Sequence, residues 1–133
     1  MSSTSSQEGA AKVEEKLLLD WGARIGAAAR YEGIKSAQLE NLIASLDVVQ
    51  GKEALLVTAA YALRQAQRLG AGRMTARLVN QALLELYEKG CGKEEARKML
   101  GFAKWVYEAV LGFRGRPEQL TLESLLRQLA GGR

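Results

Sequence analysis

Residues 52–90 decide the fold, and they read KEALLVTAAYALRQAQRLGAGRMTARLVNQALLELYEKG. Apolar residues recur at steps of three and four on both sides of Gly70-Ala71-Gly72, which is the period of an α-helix. The two glycines favour positive φ or flexibility, so they end a helix. The stretch therefore predicts two helices joined by a short turn. One runs from about Lys52 to Leu69, and the other is capped by Thr75 and ended by Gly90-Cys91-Gly92.

The helical spacing continues outward on both sides of this stretch, and glycines again separate the periodic segments. We expect further helices as follows: a first ending at Gly33, a second from Ser36 to about Gly51, a fifth from about Lys93 to Phe113 and a short sixth between Leu120 and Leu129.

The domain organisation follows from these segments. Residues 1–9 are rich in serine and lack apolar periodicity, so we expect a disordered tail there. Short connections join the remaining segments, which favours packing of each helix against its neighbours. The expected fold is an all-α protein, a compact bundle of five to six helices that forms a single domain over residues 10–133.

The composition excludes several classes of protein. The chain has 133 residues, 47% of them hydrophobic and 26% charged, and a single proline, which favours one helical domain. Histidine is absent, so triad hydrolases and histidine-ligated zinc enzymes are excluded. The single Cys91 is expected to be a small semi-buried thiol, and the lack of disulfide pairs is typical of a reducing compartment. With no long apolar run and no signal peptide pattern, we expect a cytoplasmic protein that does not insert in a membrane.

A basic region lies in the stretch that decides the fold. The net charge of the chain is +4, but no acid occurs between Glu53 and Glu85. On a helical wheel Tyr61 projects together with Arg64 and Arg68. Guanidinium groups bind phosphate oxygens bidentately and a tyrosine ring can stack on a base, so this face is a candidate RNA-binding site. The cationic residues of this region are Arg64, Arg68, Arg73 and Arg77.

The opposite side of the same helix is expected to be buried. The wheel assigns five apolar residues to it: Leu55, Leu56, Ala59, Leu63 and Ala66. The alternative interpretation of the arginine face is a solvated helix surface without a ligand.

A second basic stripe occurs on the predicted fifth helix, where Lys93, Arg97 and Lys104 share a face and form further candidates for RNA binding. A solvated surface is again the alternative, with Glu94 and Lys98 pairing one turn apart. Arg114 and Arg116 add a third basic point, although cations after a helix C-terminus also interact favourably with the helix dipole.

No catalytic or cofactor-binding constellation is recognisable. There is no phosphate-binding glycine loop, no dinucleotide fingerprint and no acid cluster with metal-ligand spacing. We therefore expect a protein that is not an enzyme and that uses neither a cofactor nor a metal. Most aromatic residues are expected to anchor the core or an interface: Trp21, Tyr31, Tyr87, Phe102, Trp105, Tyr107 and Phe113.

Three short elements give the chain a resemblance to a known family. They are Ser36-Ala37-Gln38-Leu39 at the start of the second helix, Ala60-Tyr61 followed by Arg64 in the third, and Phe102 with Glu108-Ala109-Val110 in the fifth. In this order, over residues 36–112, they resemble the small α-helical subunit of type III-A CRISPR interference complexes, the Csm kind. The related small subunit of the Cmr kind is the nearest alternative within the class.

The resemblance implies a non-catalytic subunit, present in several copies, that contacts the sugar-phosphate backbones of a guide RNA and its target RNA. Its other partners would be further CRISPR effector subunits and copies of itself. In an RNA-guided complex base pairing selects the sequence, so such a subunit needs basic faces and no base-reading pocket.

Two alternatives from other classes stay open. The first is a helix-turn-helix DNA-binding protein that uses Thr75–Glu88 and Lys93–Phe113, although Glu and Lys at the early positions of the second helix are poor readers of base edges. The second is a structural adaptor whose arginines pair with acids of a protein partner. Salt-sensitive RNA binding would discriminate against the adaptor.

Overall fold

The fold is helical throughout the part of the chain that the structure describes. The structure is a computed structural model that describes residues 2–110 and 115–131, with side chains from residue 15 onward. It contains no strand over these residues, so the predicted all-α bundle of five to six helices is confirmed. The helices are α1 (Ser2–Tyr31), α2 (Ser36–Ala44), α3 (Ala54–Leu69), α4 (Arg73–Glu88), α5 (Lys93–Ala109) and α6 (Leu122–Ala130), with single 3₁₀ turns at Ser45–Asp47 and Pro117–Gln119.

The ends of three helices differ from the sequence prediction. The first helix begins at Ser2, so it includes residues 2–9 of the segment 1–9 for which the sequence predicts a tail. The second helix ends at Ala44 and tightens into the 3₁₀ turn, where the Ser45 hydroxyl donates to the Leu42 carbonyl at 2.6 Å. The fifth helix ends at Ala109, and residues 111–114 lie outside the described residues.

Helices α1 and α5 approach each other closely through two glycines of α1. A Cβ atom on Gly26 would lie 2.4 Å from the Ala103 carbonyl oxygen and 2.9 Å from the Tyr107 nitrogen. A Cβ atom on Gly22 would lie 2.8 Å from the Phe102 ring. These glycines lower helix propensity, but they allow the two backbones to meet, so the central crossing of the bundle depends on them.

Helices α3 and α4 form an antiparallel hairpin around the predicted turn. Gly70 and Gly72 both have positive φ, at 66° and 85°, as a turn of this tightness requires. The Asn80 amide donates to the Ala59 carbonyl across the hairpin at 2.9 Å. The hairpin therefore holds the end of α3 and the start of α4 side by side.

The core is filled mainly by leucine and alanine from all six helices. The single Cys91 is buried, as the sequence indicates. Among the described residues, no helix combines the length and the apolar character that crossing a membrane requires. The largest fully buried side chains include Ile25, Leu46, Leu55, Leu78, Leu83, Leu86, Met99, Leu100 and Leu125.

Candidate nucleic-acid interface

The exposed face of α3 carries Arg64 and Arg68, as predicted, but the buried face is rotated from its predicted position. Leu56 and Leu63, which the wheel assigned to the core, are exposed, with 53% of Leu63 accessible. Small residues face the neighbouring helices instead, because α3 approaches α4 closely at Ala59. The buried residues of α3 are Ala54, Leu55, Thr58, Ala59, Ala62 and Ala66.

The rotation brings Tyr61 against the body of the protein. Its side chain is half-buried and packs on the main core. The ring also borders a small apolar cavity between α2, α3 and α4, which Leu42 and Val79 line as well. The exposed edge of Tyr61 lies on the same face as Arg64, but the ring is not a free stacking platform.

Arg73 is exposed at the first position of α4, where the sequence predicted a cap by Thr75. The cap is instead the Glu32 carboxylate from the end of α1. Its oxygens accept hydrogen bonds from the Met74 and Thr75 backbone nitrogens at 3.0 and 2.7 Å, and from the Thr75 hydroxyl. A helix N-terminus is ordinarily a favourable place for a phosphate, but here a carboxylate already fills it, so only the Arg73 side chain is available to an anion.

Arg77 is partly neutralised within the chain. Its guanidinium contacts Glu118 of the second 3₁₀ turn at 3.3 Å, and both side chains remain largely accessible. An exposed pair of this kind contributes little stability and opens readily, so Arg77 is a weaker candidate than its neighbours.

The cations of the second predicted stripe, on α5, form ion pairs with acids of the same chain. Arg97 donates to an Asp47 oxygen at 2.7 Å, and Lys93 lies 3.6 Å from the same atom. The hydrogen bond from Arg97 holds the pKa of Asp47 below its ordinary value. Lys104 donates to Glu40 at 2.7 Å, and this hydrogen bond raises the pKa of Lys104. The stripe therefore joins α5 to α2 and the first 3₁₀ turn.

Two arginines of α1 that the sequence did not single out have internal roles. Arg24 donates to the Leu120 carbonyl at 2.7 Å and lies over the Trp21 ring. Arg30 donates to the Tyr107 carbonyl at 3.0 Å and lies over that residue's own ring. These cations attach α1 to its neighbours and are not part of an open basic face.

Arg127 pairs with Glu123 one turn away on α6, and Arg116 is exposed beside the second 3₁₀ turn, with no ion-pairing carboxylate among the described residues. Three further arginines lie around the α3–α4 turn. Arg64, Arg68 and Arg73 are exposed, and in the part of the chain that the structure describes no carboxylate lies within ion-pairing distance of them. They flank the turn between α3 and α4, at one end of the hairpin. We call them the arginine cluster. Among the described residues there is also no group of three metal-ligating side chains.

The aromatic residues that the sequence assigned to the core or an interface differ in burial, and Tyr87 and Phe102 are half-buried against the core. Trp21 and Tyr107 are buried and contribute to the core, as predicted. Tyr31 and Trp105 are exposed, with 72% of Trp105 accessible, so neither is a core residue. Phe113 lies outside the described residues.

Comparison of the chain with known protein families, with curated proteins and with solved structures finds no match.

Proposed function

We propose that the protein is a non-catalytic, RNA-backbone-binding small subunit of a type III CRISPR effector complex. The observation that carries the proposal is the arginine cluster, in which Arg64, Arg68 and Arg73 are exposed and have no acidic partner among the described residues. Cations that stabilise the fold are paired elsewhere in this chain, so an exposed group of unpaired arginines is available for an external anion.

The chemistry of the cluster suits a phosphate backbone. Each guanidinium presents a planar fork of donors that matches two phosphate oxygens. The three arginine side chains are exposed at the surface, so the cluster favours phosphate contacts, which carry no sequence information. This is the kind of binding that a subunit requires when a guide RNA supplies the sequence recognition.

The placement of the resembling elements supports the assignment to the CRISPR class. Ser36 begins α2, and Gln38 of the same element accepts a hydrogen bond from the Lys35 backbone nitrogen at 2.8 Å. The Ala60-Tyr61 and Arg64 element lies on the face of α3 that carries the cluster. The elements of the resemblance therefore include Arg64, which belongs to the proposed RNA surface, and Ser36, which is the first residue of α2.

The packing of α5 disfavours the helix-turn-helix alternative. A recognition helix must present its first turns to the major groove. In this structure Lys93 and Arg97 are directed to Asp47, and the middle of α5 lies against α1 at Gly26. Two cations of the first turns of α5, Lys93 and Arg97, are therefore already engaged within the chain.

The test is a salt titration of RNA affinity for the wild type and for an Arg64→Ala, Arg68→Ala double variant. Removal of two phosphate contacts should weaken binding equally for unrelated single-stranded sequences and reduce the log-log salt slope by about 1.4, at roughly 0.7 per contact. Stability should hardly change because both side chains are exposed. Unchanged affinity and slope in a folded variant would contradict the proposal.

A matched control removes the same charge from cations that have acidic partners, in a Lys104→Ala, Arg127→Ala variant. Because Glu40 and Glu123 already neutralise these cations, the salt slope should change less than in the cluster variant. Membership of the complex is tested separately by sequencing the RNA that co-purifies with the tagged chain from its native cells. CRISPR guide RNA should be enriched in that material, and its absence would reject the assignment to the class.

A further inference from the structure

Trp105 is the most exposed of the large apolar side chains of the described structure. It lies on the solvent-exposed face of α5, near the edge of the contact between α5 and α1. The accessible fraction of its surface is 72%. The Phe102 ring supports it from the side at a centroid distance of 6.5 Å and a tilt of 54°. An indole held in this way presents an open flat face to solvent.

The surface next to this ring contains a glycine that the fold does not require. Gly101 lies in the middle of α5, where glycine costs about 1 kcal/mol of helix stability relative to alanine. A Cβ atom at this position would meet no atom within 4 Å, and its backbone has no positive φ. Gly22 and Gly26 are explained by a close helix contact, whereas Gly101 leaves an open notch in the helix surface.

Cations adjoin the notch. Lys98 is exposed one turn before Phe102, and no carboxylate among the described residues pairs with it, so the Glu94–Lys98 pair considered from the sequence is not formed. Arg97 also borders the notch, while Asp47 partly neutralises it. The residues that line this groove, which we call the Trp105 surface, are Leu19, Arg97, Lys98, Gly101, Phe102 and Trp105.

Two acids limit the extent of the positive potential. Glu94 and Glu108 are exposed on α5, and the lysine, the notch and the indole lie between them along the helix. An anionic group is therefore favoured near Lys98, and a flat uncharged group near Trp105.

We infer that the Trp105 surface is a stacking site for one nucleobase of single-stranded RNA, with the flanking phosphate on Lys98. The ligand class rests on the proposed function, since it assumes that RNA is present. The flat ring would lie on Trp105 over the notch at Gly101, where a side chain would obstruct it. A protein partner is less well matched, because an apolar contact over Trp105 would bury the Lys98 ammonium without a partner.

This site differs in kind from the arginine cluster. The cluster contacts phosphates and is indifferent to bases, whereas stacking requires a base. The two surfaces also lie on different helices, the cluster at the α3–α4 turn and the stacking site on the outer face of α5. An oligomer that keeps its phosphates but lacks its bases therefore distinguishes them.

The experiment compares two labelled single strands by fluorescence anisotropy, an unstructured RNA of about 10 nucleotides and an abasic ribose-phosphate strand of the same length. For the wild type the base-containing strand should bind more tightly. The Trp105→Leu variant should bind that strand roughly 5- to 150-fold more weakly, as expected for the loss of one stacked base, with little change for the abasic strand. Gly101→Leu should act in the same direction, since it fills the notch with a good helix former.

A Leu126→Ala variant is the matched control, because it removes an exposed apolar side chain, 52% accessible, from α6. It should preserve the preference for bases. The inference is overturned if folded Trp105→Leu protein keeps that preference, or if the wild type binds an acidic aromatic peptide and neither RNA strand.

The same data separate this inference from the proposed function. Loss of base preference in Trp105→Leu, together with an unchanged salt slope in the Arg64, Arg68 variant, would support the stacking site and reject the role of the cluster. The reverse pattern would reject the stacking site and support the cluster.

Discussion

Two glycine-to-alanine substitutions should have opposite effects on stability although the covalent change is identical. Both Gly26 and Gly101 lie inside helices, so helix propensity alone predicts a gain of about 1 kcal/mol for each. At Gly101 the new methyl group meets no atom within 4 Å, and the gain should be realised. At Gly26 the methyl group would lie 2.4 Å from the Ala103 carbonyl oxygen, about 1 Å closer than an ordinary contact of 3.4 Å.

The magnitude at Gly26 follows from the nature of the obstacle. The carbonyl belongs to the α5 backbone and has no rotamer to change, so the two helices must separate. Overpacking of this severity costs about 3 kcal/mol, and the propensity gain offsets about 1 kcal/mol, which gives a net loss of about 2 kcal/mol. The two variants should therefore differ by about 3 kcal/mol, or roughly 10 °C in melting temperature for a domain of this size.

The assay is urea unfolding followed by circular dichroism, with the free energy of unfolding extracted at constant m. A constant m indicates that the unfolded and native states keep their compactness, so that the midpoint reports stability alone. A Gly26→Ala variant at least as stable as the wild type would refute the reasoning, since α1 and α5 would then not be packed backbone to backbone at this position.

Three further predictions follow from other contacts. Glu32→Ala should lower the free energy of unfolding by about 1–2 kcal/mol, because the start of α4 loses its hydrogen-bond acceptor. Amide hydrogen exchange at Met74 and Thr75 should also become faster, and unchanged exchange would contradict the cap. In an NMR titration the pKa of Asp47 should lie below its ordinary value and rise toward it in Arg97→Gln, whereas an equal pKa in both proteins would exclude the contact. Since the folded pKa is the lower one, the small contribution of this pair is present at neutral pH and lost as pH falls through the pKa of Asp47. The purified protein should not hydrolyse RNA, either with or without divalent metal. RNA cleavage that co-elutes with the protein through successive columns would contradict this prediction.

The helices could be predicted from the sequence because their signals are local. Apolar spacing and the glycine pair around Ala71 are properties of neighbouring residues, and both locate the α3–α4 hairpin correctly. The orientation of α3 could not be predicted in the same way. Leu56 and Leu63 are as hydrophobic as any core residue, but which face is buried depends on where α4 packs, and small residues such as Ala59 permit the closer approach.

The candidate site was only partly predictable for a related reason. Lys93 and Arg97 look like free cations along the sequence, and their partner Asp47 is about 50 residues away. Arg64 and Arg68 are exposed as expected, because the helical spacing places them on the side of α3 away from Ala59, Ala62 and Ala66. The Trp105 surface was not predicted, because the spacing that places an aromatic residue on a helix does not say whether another helix will cover it.

The Glu32 carboxylate has a consequence for the order in which the chain is assembled. It lies about 42 residues before the backbone nitrogens that it binds at the start of α4. A nascent chain emerges from the ribosome with its N-terminus first, so this acceptor is already outside when the first turn of α4 appears. A circular permutant that begins in the Gly70–Gly72 turn would reverse that order. Its α4 would be synthesised first, and the first backbone amides of α4 would lack the Glu32 acceptor until that residue was synthesised.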